Sequence, residues 1–359
     1  MTIATRHEPR ISIPMADDDH EQIVIRQDKE TGLRFIVAVH STVIGPALGG
    51  MRLKRYPGGL HEALADVMCL ARTMTLKASA AGLDLGGGKA VMIDDGLEHM
   101  RTARLEAAAR VIDGLDGAYI TAEDIGTTTA DMDHMAKFTR FVVGQSVSNG
   151  GGGDPSPVTA ETVFQAMRRG LTAATGSGDF DGRRIGVVGL GKVGSGLAAK
   201  LAQAGAEVIG CDLDTERCRC LAEDEGIAVA PSAEAILATE LDVLAPCAAG
   251  GLIDDLIARS IDCRVVAGAA NNPLTDRAVA RTLMERDIVY VPDFLANCGG
   301  LIHVSMEWHG HQGPSESDLI AGAMVRLDSA LETAEADGIP PIDVAERQAL
   351  ERVEAARGR

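Results

Sequence analysis

The chain has 359 residues, longer than one compact domain usually grows, so two domains with a cleft between them are expected. Its formal net charge of -18 repels both a phosphate backbone and an anionic membrane surface, which argues against nucleic acid and membrane as partners. Apolar residues make up 46% and aromatics only 3%, so Ala, Val, Leu and Ile must fill the cores, and nothing in the composition reads as disordered.

In chain order, the opening stretch MTIATRHEPRISIPMADDD mixes charges and lacks the apolar core of a signal peptide. No later run approaches the ~20 apolar residues of a membrane span, so a cytoplasmic protein is expected. Strand-like runs at Leu33–His40 and Lys89–Ile93 flank a helical stretch from about Leu60 to Ala80, in which Leu64, Val67, Met68 and Ala71 recur at helical spacing. A second helix near Arg101–Leu115 leads to a strand at Tyr119–Thr121. Ser148–Pro157 (SNGGGGDPSP) then carries four consecutive glycines and two prolines, which continue neither element and read as a domain boundary or hinge.

Beyond it, short β-rich runs at Arg184–Gly189, Glu207–Cys211, Asp242–Pro246, Val265–Ala270 and Ile288–Pro292 alternate with helical stretches. That alternation means parallel strands with crossover helices. The tail from about Ser317 is helical, with a break at Gly338–Pro341. No internal repeat or low-complexity tract occurs. The expected domains are residues 1–147, residues 148–329 and a helical tail, 330–359, packing back on the first.

The seven cysteines are odd in number and scattered, which fits a reducing compartment better than a disulfide framework. Cys218 and Cys220 form a C-x-C without a partner pair at metal-ligand spacing, and His309 and His311 also stand without one, so no metal is expected.

Gly189-Leu190-Gly191-Lys192-Val193-Gly194 follows an apolar strand and opens a helical run. That context gives the glycines a purpose: a tight turn, close approach of backbone to a pyrophosphate, and helix–strand packing. The next strand ends at Asp212, about 20 residues beyond Gly191, where an acidic side chain can bond the ribose hydroxyls and repel a 2′-phosphate. The expected cofactor is NAD rather than NADP. Arg217 lies close enough to touch the adenosine or, against that reading, to accept a 2′-phosphate.

The first half holds Met74-Thr-Leu-Lys77, Gly86-Gly-Gly-Lys89 and Ala122-Glu-Asp124. Three glycines ahead of Lys89 would let the backbone approach a small substrate, and burial at a strand mouth would tune the lysine as a general base. Lys77, near the end of an apolar helix, suits a substrate carboxylate as a point charge. Asp124 follows a strand directly, where catalytic groups concentrate. Each has an ordinary alternative, a solvated lysine or a helix cap. Together, beside a dinucleotide loop, they imply an anionic substrate group and a proton transfer near a hydride acceptor.

With these motifs in order, the sequence resembles the glutamate/leucine/phenylalanine/valine dehydrogenase family, in particular its shorter branch. The resemblance also rests on Gly45-Pro-Ala-Leu-Gly-Gly50-Met-Arg52, Tyr119–Asp133, Pro155–Thr159, Ala245-Pro-Cys, Gly268-Ala-Ala-Asn271-Asn272-Pro and Asn297-Cys-Gly-Gly300. It implies an α/β fold in which an N-terminal substrate domain and a C-terminal Rossmann domain flank a catalytic cleft. It implies that Lys89 is the base that activates water against an imine, that Lys77 binds the substrate carboxylate, and that Asp124 shuttles the amine proton. By the same resemblance Gly50 and Asn271 position substrate and nicotinamide, Arg52 and Thr159 lie near the cofactor, and Leu48, Ala122, Leu301 and Val304 line the side-chain pocket.

That pocket has no cation for a glutamate γ-carboxylate, whose unpaired burial would be expensive. The expected reaction is reversible oxidative deamination of an apolar L-amino acid to its 2-oxo acid and ammonium, with valine or leucine favoured and phenylalanine or another aromatic as the alternative. Cys298 and Ser305-Met-Glu-Trp308 match neither branch well. A 2-hydroxy-acid dehydrogenase and a catalytically inactive NAD-binding regulator are the competing classes. The resemblance also implies a homo-oligomer through the N-terminal domain.

Overall fold

The computed structural model describes residues 19–96, 98–309 and 313–358; the charged opening stretch up to Asp18, and His311, lie outside them. The first half runs β1 (Gln22–Asp28), β2 (Leu33–Ser41), β3 (Ala47–Lys54), α1 (Gly59–Ala81), β4 (Gly86–Ile93), α2 (Arg101–Asp113), β5 (Tyr119–Glu123) and α3 (Thr129–Met135). It forms a five-stranded sheet in the order β1-β2-β4-β3-β5, antiparallel at β1/β2 and β2/β4 and parallel at β4/β3 and β3/β5.

Helices cover both faces. Ile36, Ala38, Val91 and Ile93 pack against Ala63, Leu64, Val67 and Ala71 of α1, while Phe35, Val37, Ala90 and Met92 pack against Leu105, Ala108 and Ile112 of α2. Burial on both faces is why β2 and β4 read as continuous apolar runs rather than alternating ones. Gly82, in the left-handed region at φ 77°, ends α1 by donating to the Ala78 and Ser79 carbonyls.

The second half runs α4 (Ser156–Thr175), β6 (Arg184–Val188), α5 (Lys192–Gln203), β7 (Glu207–Cys211), α6 (Thr215–Glu225), β8 (Ala228–Val229), α7 (Ala233–Leu237) and β9 (Val243–Pro246). It continues through α8 (Asp255–Ser260), β10 (Val265–Val266), α9 (Ala278–Met284), β11 (Val289–Tyr290), α10 (Asp293–Ala296), α11 (Gly299–His309), α12 (Glu316–Asp337) and α13 (Pro341–Arg357). Its six strands are all parallel, in the order β11-β10-β9-β6-β7-β8, the doubly wound arrangement of a dinucleotide-binding fold.

The structure departs from two of the sequence expectations. Val265–Ala270 and Ile288–Pro292 pair over only two residues each, because the chain then leaves the sheet toward Asn271 and Asp293. The Ser148–Pro157 stretch does not exclude a helix throughout: α4 begins inside it at Ser156, with a proline in its first turn, where no helical N–H is lost. The closing helix α13 lies on α1, with Ser79 Oγ donating to the Ala349 carbonyl at 2.7 Å and Arg352 Nη1 to the Leu83 carbonyl at 2.8 Å. All seven cysteines are free. No described helix is long and apolar enough to cross a membrane.

Candidate active site

Lys89 lies on β4 and Asp124 just past the end of β5, with β3 running between those strands. β3 keeps a constant offset against β4 from Ala47↔Gly86 to Lys54↔Ile93, and Gly50 pairs with Ala122. Gly50 therefore falls between the lysine and the aspartate. Lacking a side chain, it leaves the gap across which Lys89 Nζ reaches Asp124 Oδ2 at 2.7 Å; a Cβ there would sit 2.8 Å from the Asp124 Cβ.

Asp124 also accepts from Arg52 Nε at 3.2 Å, and Arg52 Nη1 turns to Asp66 at 3.2 Å, where Tyr56 donates its hydroxyl at 2.6 Å. Arg52, expected beside the cofactor, thus has its guanidinium engaged within this carboxylate cluster. Burial pushes the Asp124 carboxyl up, but the positive charges of Lys89 and Arg52 outweigh it and bring it down to about 2. The turn is locked by Thr127, whose hydroxyl accepts the Asp124 N–H at 2.9 Å and donates to the Met51 carbonyl at 2.8 Å.

The glycines ahead of Lys89 do not serve substrate approach. A Cβ on Gly86, Gly87 or Gly88 would collide with the Ser41 carbonyl, the Thr75 backbone or the Tyr119 ring. Protein atoms fill that space, so the triple glycine sinks β4 between its neighbours and buries every residue from Gly86 to Ile93.

Lys77 projects from the last turns of α1 and is 8% exposed. Its Nζ donates to Asn271 Oδ1 at 2.9 Å, 194 residues away in sequence, and Asn297 Nδ2 donates to the same oxygen at 2.9 Å. Asn297 also reaches the Ala269 carbonyl at 3.0 Å, while Asp293 accepts from the Asn272 N–H at 2.7 Å and the Tyr290 hydroxyl at 3.3 Å. Burial lowers the Lys77 ammonium from its ordinary value, and the Asp293 charge only partly offsets it.

Asp293 is not singled out in the sequence, and Asn297 only as the head of a family motif, without a role. The signal was there: they are polar residues set in the apolar run PDFLANCGG, and a buried polar side chain must find a partner.

Leu48 and Ala122, near the Gly50 level of the sheet, and Leu301 and Val304, one turn apart on α11, belong to one buried apolar cluster with Leu76 and Val143. Cys298 is buried at the start of this group; burial pushes its thiol up to about 12 despite the nearby Lys77 charge, so it is an apolar-packed thiol rather than a thiolate. The unusual Ser305–Trp308 stretch is a fastening. The Glu307 carboxylate accepts from the Gly144 and Gly152 N–H groups at 2.7 Å each, Ser305 Oγ donates to the Ile302 carbonyl at 2.6 Å, and Trp308 packs on Phe141 with ring centroids 6.1 Å apart.

The three loop glycines separate by role. Gly189 has φ 100° and faces the Ala248 backbone, a Cβ on Gly194 would strike the Gly189 carbonyl, and a Cβ on Gly191 would meet nothing within 4 Å. Gly191 is also the N-cap residue of α5, so the one open glycine stands where the helix presents its unpaired N–H groups. Asp212 Oδ2 accepts from the Leu190 N–H at 2.7 Å, and Leu190 itself is buried. Arg217 pairs with Asp214 at 3.0 Å and approaches Asp212 at 3.7 Å. Lys192 is exposed and pairs with Asp154 at 3.2 Å, Val193 is partly buried, and Thr159 donates to the Pro155 carbonyl at 3.0 Å beside Gly300. Cys218 Sγ lies 3.8 Å from the Asp212 carbonyl.

Residues 20–141 match the Glu/Leu/Phe/Val dehydrogenase dimerisation domain, and residues 214–358 match the Glutamate/Leucine/Phenylalanine/Valine dehydrogenase model. A leucine dehydrogenase of Thermoactinomyces intermedius is 42% identical over 340 residues, 94% of this chain and 92% of its own. The chain belongs to the Glu/Leu/Phe/Val dehydrogenase family. A valine dehydrogenase of Streptomyces virginiae is 41% identical, over 94% of this chain and 95% of its own. The crystal structure of L-tryptophan dehydrogenase from Nostoc punctiforme superposes with a TM-score of 0.82 at 29% identity, over 96% of this chain and 99% of that one. As a Glu/Leu/Phe/Val dehydrogenase, the chain is an amino-acid dehydrogenase with an α/β fold in two domains, the second a parallel, Rossmann-like one, and the 2-hydroxy-acid alternative falls away.

Proposed function

We propose that the chain catalyses reversible, NAD-dependent oxidative deamination of a branched-chain L-amino acid, valine or leucine. Water and NAD are consumed, and the 2-oxo acid, ammonium, NADH and a proton are released. The observation that carries this reading is the buried Lys89–Asp124 ion pair beside the Lys77–Asn271 bond, next to an aliphatic cluster that offers no cation.

Each group has a part in that reading. Lys77 exchanges Asn271 for the substrate carboxylate, which restores a full negative partner to a buried ammonium. Asp124, held anionic, accepts hydrogen bonds from the substrate amino group and takes a proton only as the charges around it change. Lys89, two strands away but touching Asp124, gives and takes the proton of the attacking water. Gly50 leaves the space in which these groups meet, and Asn271 turns its amide to substrate and cofactor. Leu48, Ala122, Leu301 and Val304 enclose the side chain.

The bound dinucleotide supplies the hydride acceptor. The open Gly191 at the head of α5 suits its pyrophosphate, with Gly189, Leu190, Lys192, Val193, Gly194 and Thr159 around it. Asp212 faces the ribose, and Arg217, already paired with Asp214 and near Asp212, has its charge taken up. That favours NAD over NADP. Arg52 acts through Asp124 rather than on the cofactor. We further propose a cytoplasmic homo-oligomer, with domain limits near residues 147 and 329 and the tail on the first domain.

NAD reduction should be followed with L-valine, L-leucine, L-phenylalanine, L-tryptophan and L-glutamate in parallel. Preference for valine or leucine is expected. Preference for phenylalanine or tryptophan would keep the chemistry and overturn the pocket, and NAD binding without turnover on any of them would favour the inactive regulator.

A further inference from the structure

Among the described residues, one group of three side chains is placed to share a metal ion: Asp19, His20 and His40, whose ligand atoms all lie within 4.8 Å of one another. His40 belongs to β2, and the other two lie on the run entering β1. That run is fixed to β2 without any ion. The Glu21 N–H donates to the His40 carbonyl at 3.3 Å, and the Glu21 carboxylate accepts from the Thr42 N–H at 2.9 Å and the Thr42 hydroxyl at 2.5 Å.

Both imidazoles are held from α1. His40, 3% exposed, has Nδ1 at 2.8 Å from Thr75 Oγ1 and Nε2 at 2.9 Å from Asp19 Oδ1. His20 Nε2 donates to the Met68 carbonyl at 3.0 Å. The two rings stand edge to face, 4.8 Å between centroids at 81°. A carbonyl or hydroxyl on one nitrogen, fixing the tautomer and aiming the other, is the support that metal-bound histidines normally have.

Arg72, whose charge acts on both Asp19 and His40, is turned to Glu346 at 2.9 Å.

We propose that Asp19, His20 and His40 bind one divalent first-row transition ion, with zinc the natural occupant, which fastens the segment entering β1 to α1. Two imidazoles and a carboxylate are a ligand set zinc accepts, with a fourth position for water. Ligands about 2.0–2.1 Å from the ion lie roughly 3.3 Å apart, so the group must contract. The movement falls to Asp19, whose side chain is 61% exposed. The hydrogen between His40 Nε2 and Asp19 moves to Nδ1, where Thr75 Oγ1 accepts it. Thr75 is two residues from Lys77 on the same helix and abuts Gly87, so the ion would brace the end of α1 that carries the substrate lysine.

The test uses the full chain, stripped with chelator and titrated with zinc sulfate by calorimetry, with thermal unfolding followed in parallel. One zinc per chain and a rise in Tm of several degrees are expected. His20→Ala and Asp19→Asn should each weaken binding at least tenfold. Because Asp19 is exposed, Asp19→Asn keeps the test open if His20→Ala does not fold. Cobalt(II) should give weak ligand-field bands without thiolate charge transfer, which separates this site from the free cysteines. No stoichiometric zinc, unchanged affinity in the variants that fold, or thiolate bands with cobalt would overturn the proposal and leave the cluster as a hydrogen-bonded pin.

Discussion

Replacing Asp124 with Asn keeps the shape of the side chain and removes its charge from a buried site. The carboxyl is drawn from its ordinary 3.8 down to about 2, which corresponds to ~2–3 kcal/mol of preference for the anion. Its side chain is 19% exposed, so solvent screening takes little of that away. Arg52 keeps Asp66, and the cost therefore falls on Lys89, 8% exposed and left without its carboxylate. The variant should lose ~2–3 kcal/mol of stability at pH 7, read by denaturant unfolding. A lowered carboxyl pKa gives stability that is present above the unfolded value and disappears as pH falls through the folded one. The gap between the two proteins should therefore close from about pH 4 down to about 2. Turnover should fall by roughly 10²–10⁴ with NADH affinity, measured by fluorescence, nearly unchanged. Turnover within tenfold of the parent protein would refute the assignment of Asp124 to the chemistry, and an unchanged unfolding midpoint would refute the electrostatics.

Gly191 and Gly194 should fail in different ways. Ala at Gly191 meets open space at φ -64°, so it should leave the midpoint of unfolding alone and weaken NADH binding, whereas Ala at Gly194 strikes the Gly189 carbonyl and should cost ~1–3 kcal/mol of stability. Lys77, its ammonium lowered by burial, should lose its proton below the ordinary 10.5. Its charge is present below that point and lost above it, so KM for the amino acid should climb on the alkaline side while NADH affinity stays flat. Lys77→Met should raise KM at every pH and abolish the climb. Asp212→Ser should narrow the preference for NAD over NADP, measured as the ratio of kcat/KM values; an unchanged ratio would remove Asp212 from cofactor choice.

The legible parts of the fold were those whose burial leaves a mark in one dimension. β2 and β4 are covered on both faces and read as apolar runs. β1 is a half-exposed edge strand and β3 carries Gly49 and Gly50, so neither stood out. Lys77, Lys89 and Asp124 could be named from residue types and local context, but Asn271 meets Lys77 only after a separation of 194 residues, which no local pattern encodes; resemblance alone suggested it. The triple glycine shows the limit from the other side. Glycine signals close approach without saying to what, and here Thr75 and Tyr119 occupy the space assigned to substrate. The fastening by Glu307 is not legible although its stretch stands out, because its partners are backbone N–H groups over 150 residues away, and the Asp19-His20-His40 group is not legible because an acidic run and a distant histidine look solvated until the fold brings them together.

On the proposed function, ammonia is made and consumed at this site. The most direct measurement is NADH oxidation with 2-oxoisovalerate, with and without ammonium chloride. Turnover that requires ammonium and saturates with it is expected. Equal rates without ammonium would contradict it, because the Lys89–Asp124 pair would then be serving a carbonyl reduction with no amine in the reaction.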